Sequence, residues 1–184
     1  MCSFSVEELG LLVRVLTCAV TSIGVGLAIV QWRNSLLIKR GELIDLIFEK
    51  FRSDENIRKA VYLFDYDQQW YTESFHNASG KTEKEDCVDV GLQYFSYVCY
   101  LWKIGILKRK DFDLFRYTIC RAVSNNGTKD YFYNLYHFSR AQQIDFPFPA
   151  LLWFARKEKI LEDDFYSPSA HKKTNSWFHR NLNF

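Results

Sequence analysis

The chain has 184 residues, 48% hydrophobic and 25% charged, with three Pro and eight Gly, a globular composition that excludes long disorder. A net charge of +2 gives no global basic field for nucleic acid, so any charge-based recognition has to come from local clusters. Five cysteines, Cys2, Cys18, Cys87, Cys99 and Cys120, form neither a CxxC pair nor an even framework, and read as free thiols in a reducing compartment.

From Leu9 to Trp32 the only charge is Arg14, which sits near one end and can snorkel. A helix of that length is about 36 Å long, enough to cross a hydrocarbon core of roughly 30 Å with some tilt, and the pattern predicts a transmembrane helix. A secretory signal peptide would open with a basic segment, whereas Glu7 and Glu8 precede this one. Arg33, Lys39, Arg40, Lys50 and Arg52 follow it, so the positive-inside rule places the C-terminal side in the cytoplasm and the N-terminus outside. The expected topology is a single crossing; the resemblance given below implies that the membrane is a bacterial inner membrane. Cys18, Ser22 and Gly26 recur at spacing four along this helix, the kind of small-residue face through which two membrane helices associate. Ordinary Gly and Ser content produces the same pattern. The lipid bilayer and a second copy of the helix are the partners this segment implies.

An amphipathic helix is predicted to run on from the anchor, from about Asn34 to Phe51, with Leu36, Leu37, Leu43, Ile44, Ile47, Phe48 and Phe51 as its apolar stripe. Ser53 and Asp54 read as the N-cap of a helix through about Tyr66. The polar stretch from Asp65 to Lys81 reads as the main loop, in which Tyr66, Gln68, Gln69, Trp70 and Tyr71 could line a cleft. Thr82 with Glu85 three residues later is a capping-box signature for a long helix ending near Gly105. Asp111 to Ser124 is the next helix, closed by Asn125, Asn126 and Gly127, and Thr128 opens another through about Gln143. Pro147 or Pro149 suits the first turn of a last helix containing Leu151, Leu152, Phe154 and Ala155. No segment alternates as a strand.

The fold class is therefore all-α. Residues 1–33 form the membrane segment, 34–162 a cytoplasmic bundle of about five to six helices, and 163–184 a polar tail ending in the ring-rich stretch Trp177 to Phe184. Leu92 to Leu107 carries one charge, Lys103, and a second span there stays open. At roughly 24 Å it is short for a bilayer, and a buried central helix suits it better.

No residues are assigned to catalysis, a metal or a cofactor. His76, His137, His171 and His179 are dispersed, and no Walker loop, dinucleotide fingerprint or nucleophile elbow occurs. The acidic pairs Asp65 with Asp67 and Glu85 with Asp86 read as solvated helix ends. Arg121 lies on an otherwise apolar helix and calls for a carboxylate partner; the sharper alternative makes Arg121 and His137 an anion or partner contact. The run Lys108, Arg109, Lys110 reads as a solvated turn or an interface for anionic lipid.

An anchor leading into RNSLLIKRGELIDLIFEKFRSDENIRKA, followed later by FDLFRYTICRAVSNNGTKDYFYNLYHF, resembles small bacterial membrane-anchored helical proteins, including the transmembrane effectors of retron-type antiviral defence systems. The resemblance implies a toxin-like effector that acts on the inner membrane when a regulatory protein or nucleoprotein partner is disturbed. The alternative is a non-toxic tethered adaptor whose helical domain binds a cytosolic protein or nucleic acid.

Overall fold

The computed structural model describes residues 6–75 and 82–167. Cys2, His76, the Asn77–Lys81 end of the main loop and the tail from residue 168, with His171, His179 and the Trp177 to Phe184 stretch, lie outside the described residues. Among the described residues there are six α-helices, two 3₁₀ turns and no strand. They are α1 (Val6–Ser53), α2 (Glu55–Tyr66), α3 (Glu83–Lys103), α4 (Arg109–Ser124), α5 (Asn126–Gln142) and α6 (Pro149–Lys157), with 3₁₀ turns at Glu73–Phe75 and Asp163–Tyr166.

The chain divides into two compact units, 1–46 and 47–184. Helix α1 has no break between its apolar first part and the amphipathic stretch expected as a separate helix. In the first unit every described side chain from Leu11 to Lys39 is exposed. Among the described residues this is the one helix long and apolar enough to cross a membrane, with a mean hydropathy of 2.0 over its most apolar 18 residues. Leu92 to Leu107 is no such helix: α3 stops at Lys103, and Leu92, Phe95, Val98, Cys99 and Leu101 are buried within the second unit.

Helix ends in the second unit follow local chemistry. Asp54 Oδ1 accepts the N–H groups of Asn56 at 3.0 Å and Ile57 at 3.3 Å, satisfying donors that the first turn of α2 leaves open. Thr82 Oγ1 accepts Glu85 N–H at 3.0 Å and donates to Phe75 O at 3.0 Å, so one hydroxyl starts α3 and fastens the preceding turn. Asp111 reaches back to the Lys108 N–H at 2.9 Å, and Pro149 occupies the first turn of α6. Helix α3 ends in a Schellman motif: Ile106 N–H bonds Leu101 O and Gly105 N–H bonds Trp102 O, both at 3.0 Å, with Gly105 at φ +80°. Helices α5 and α6 end the same way, yet place Gln143 (φ 58°) and Lys159 (φ 54°) at the left-handed position.

Helix α3 is central, with α2 and α6 packed along it, α4 against α2 and α3, and α5 against α4. Gly91 permits the α2 contact, since a Cβ there would stand 2.5 Å from the Ala60 Cβ. Ser96 Oγ accepts the Leu151 N–H at 3.4 Å, meeting one of the open donors at the start of α6. The last turns of α1 belong to this core: Tyr94 OH donates to Ile47 O at 2.8 Å, and Phe48 packs on Phe115 with centroids 4.6 Å apart.

The stretch after α2 departs from the expected open loop. Trp70 is fully buried, its ring 5.1 Å from Phe75, 5.8 Å from Tyr131 and 6.1 Å from Phe64, and Tyr71 is buried beside it. An apolar wedge forms in place of an open polar loop, because two large rings bury more area inward than surrounding Gln and Asp gain from solvent.

Candidate functional site

Helix α2 turns Ile57, Ala60 and Phe64 inward, at the spacing that places them on one face. Its outer face carries Arg58, Tyr62 and Tyr66, four residues apart, and these are exposed; Tyr62 and Tyr66 are 68% and 74% exposed with ring centroids 4.7 Å apart. Together with Phe51 and Arg52 at the end of α1 and Glu83, Lys84 and Cys87 at the start of α3, this helix borders an open groove of about 1020 Å³. Phe51, Val61 and Leu63 line it together with the charged residues Arg52, Glu55, Arg58 and Lys59. Lys59 bridges Glu83 at 2.8 Å and Glu55 at 3.2 Å, joining α2 to α3 across it. The shared contacts raise the Lys59 ammonium above its usual range and lower the Glu83 carboxyl below its own, through the hydrogen bond first and charge second.

The far end of α2 is held by α4. Arg121 donates to Asp65 Oδ1 at 3.1 Å and to the Asp65 carbonyl at 3.0 Å, while Asn125 Nδ2 donates to Phe64 O at 2.9 Å and Asp67 O at 2.8 Å. These bonds take up carbonyls that the last turn of a helix leaves without partners. Asn125 Oδ1 also accepts Thr128 N–H at 3.2 Å, so the residue caps α5 while clasping α2. Next to it, Gly127 N–H bonds Gln68 O at 3.1 Å, and a Cβ at Gly127 would stand 2.7 Å from Trp70 Nε1. The Asn125–Asn126–Gly127 turn is a clasp, a role its sequence signature of turn residues does not reveal.

Of the residues singled out in the sequence, Arg121 meets the expected carboxylate, but its side chain is 45% exposed rather than buried. His137 is buried, with Nε2 3.1 Å from Phe165 O and its ring against Tyr133 and Tyr136. None of the described contacts joins Arg121 to His137, because α4 directs the first at α2 while α5 directs the second at the 3₁₀ turn following α6. Asp65 is bound to Arg121, and Asp67 lies 3.7 Å from Lys84. Of the cleft residues, Tyr66 lines the groove and Gln69 is exposed, Gln68 bonds the Asn125–Gly127 turn, and Trp70 and Tyr71 are core. Cys18, Ser22 and Gly26 all lie exposed on α1, where Ser22 Oγ donates to Cys18 O at 2.8 Å and Gly26 has open space around its Cβ position.

The remaining polar groups of the core are structural in geometry. Asn134 Nδ2 donates to Tyr71 OH at 3.1 Å and Tyr131 OH donates to Asp89 Oδ1 at 3.0 Å, while burial drives both phenols well above their usual range. Burial likewise pushes the thiols of Cys87, Cys99 and Cys120 up, away from the reactive thiolate. No His, Cys, Asp or Glu group of three or more that could hold a metal occurs among the described residues. No protein-family profile, curated protein or solved structure matches the chain.

Proposed function

We propose that the protein is a membrane-tethered adaptor: α1 anchors it once in a bacterial inner membrane, N-terminus outside, and the cytoplasmic helical domain captures a protein or nucleic-acid partner in the α2 groove. The observation that carries this reading is the outer face of α2. Arg58, Tyr62 and Tyr66 are held out of the core on a helix whose two ends are fastened by Asp54 and by the Arg121/Asn125 clasp. A fixed helix presenting two exposed rings and a cation suits a binding surface, since little backbone freedom remains to be lost on association. The charge asymmetry around the apolar segment Leu9 to Trp32, acidic before and basic after, supports the topology. Affinity capture on the full-length protein in detergent tests this: one partner should be retained by the wild type and lost with Tyr62→Ala/Tyr66→Ala. Retention by that variant would refute the groove.

A second reading, a toxin-like effector of an antiviral system, draws its support from the Cys18/Ser22/Gly26 face, which is exposed along α1 and has room for a second helix. Induction of the full chain should then depolarise cells, and Gly26→Leu should abolish both the depolarisation and crosslinked dimers. Normal growth and membrane potential under strong induction would remove this reading and leave the adaptor.

A further inference from the structure

At the opposite end of α3 from the groove, three elements gather cations. Lys103 ends α3, Lys108, Arg109 and Lys110 open α4, and Lys157 ends α6; all five side chains are exposed. Helices α3 and α6 are in register here, because Trp102 meets Trp153 edge-on at 5.4 Å and the Lys157 ammonium lies 4.0 Å from the Trp102 centroid and 5.0 Å from that of Trp153. Between the cations, the α3–α4 turn holds out Ile104 and Ile106, 48% and 44% exposed, on a backbone fixed by the Schellman motif. Of the acids nearby, Asp111 accepts the Lys108 N–H and Glu158 is paired with Arg116, while Asp113 is exposed on α4, so five cations face a smaller number of carboxylates.

We infer that this end of the bundle docks on an anionic bilayer surface, with Ile104 and Ile106 entering the headgroup region, Trp102 and Trp153 at its level, and the five cations over lipid phosphates. This rests on the tethered reading above. Two observations commit the surface to lipid. Its charge is complementary to the anionic cytoplasmic leaflet, and its combination of half-exposed indoles, short apolar tips and lysines is that of an interfacial contact, where each ring has an apolar body and a wet edge. A nucleic-acid site would use the cations but gain nothing from two exposed isoleucines.

The test uses the full chain reconstituted in nanodiscs of phosphatidylcholine alone or with about one third phosphatidylglycerol, with lysine acylation rates read by mass spectrometry. Lys108 and Lys110 should react several-fold more slowly in the anionic discs, the protection should disappear at high salt, and Lys59 and Lys84 in the groove should be indifferent to lipid. Each cation removed should weaken docking about fivefold, so Arg109→Gln/Lys110→Gln should largely free Lys103 and Lys157; Ile104→Ser/Ile106→Ser should do the same with unchanged helix content. Equal rates in both discs, with the chain inserted, overturn the docking alone. Failure of the chain to enter the discs overturns the tether and the docking with it. Protection that appears with single-stranded nucleic acid and not with anionic lipid assigns the surface to nucleic acid and overturns the proposal.

Discussion

Asn125 is the position at which a single substitution should be most informative. Truncation to Ala removes the α5 cap, worth about 1 kcal/mol, and leaves the Phe64 and Asp67 carbonyls without their donor. A buried polar group left unpaired costs about 1–3 kcal/mol, and the Asp67 carbonyl is only partly buried, so the total is about 3 kcal/mol. For a folded unit of this size that corresponds to a melting temperature lower by about 10 °C, measured by far-UV circular dichroism on the full chain in detergent. Asn125→Ser separates the two roles, because a hydroxyl can still cap α5 but cannot reach across to α2; it should recover only about 1 kcal/mol of the loss. Asn126→Ala, at the exposed neighbour, should stay within about 0.5 kcal/mol of wild type. The reasoning fails if Asn125→Ser is as stable as wild type, or if Asn125→Ala loses no more than a cap.

Gly91→Ala gains helix propensity but drives a methyl into Ala60, and should destabilise by about 1–3 kcal/mol in urea unfolding; a neutral result would mean that α2 and α3 can separate freely. Lys159→Gly and Gln143→Gly relieve left-handed backbone at a non-glycine residue and should each stabilise by about 0.5–1 kcal/mol by thermal melt, whereas Gly105→Ala should cost about 1. Tyr71, Tyr94 and Tyr131 have folded-state pKa values raised above 10.0 by burial, so the stability they protect is fully present below pH 10 and declines as pH rises beyond it. Their ultraviolet ionisation should therefore coincide with alkaline unfolding, and a titration of all tyrosines ahead of unfolding would contradict the burial. Cys99 is fully buried, so it should resist maleimide in intact cells whichever side the domain occupies, and rapid labelling would show that α3 is not a core helix.

What could be read from the sequence was what short-range chemistry decides. Asp54, Thr82 and Pro149 mark their helix starts because each supplies or omits a bond within three residues of itself, and Gly105 marks an end because of the sign of one dihedral. Helix α5 starts at Asn126, two residues before the Thr128 that the sequence pattern predicts, since the cap is Asn125 and Thr128 is the residue whose N–H it holds. The Trp70 wedge and the clasp were invisible for another reason. Asn125 meets Phe64 across 61 residues, and Arg121 meets Asp65 across 56, so no local pattern encodes either contact. The groove was missed because α2's outer residues, Arg58, Tyr62 and Tyr66, are defined as a surface only once the opposite face is known to be inside. That inner face is Ile57, Ala60 and Phe64, while Val61 lines the groove, and helical period does not give the neighbours at Phe51 and Glu83 that turn a helix face into a groove.

The last turns of α1 have a consequence for how the chain is made. Phe48 and Phe51 find their partners in Phe115 and Tyr94, which the ribosome adds much later: Phe115 follows Phe51 by 64 residues. At about 5–20 residues per second, that leaves several seconds in which the rings at the base of the first helix are already synthesised and their own core is not. Whatever receives the N-terminal segment during translation must therefore also shelter its follow-on turns, and a pause between Phe51 and Phe115 would prolong the interval in which the nascent chain can associate wrongly.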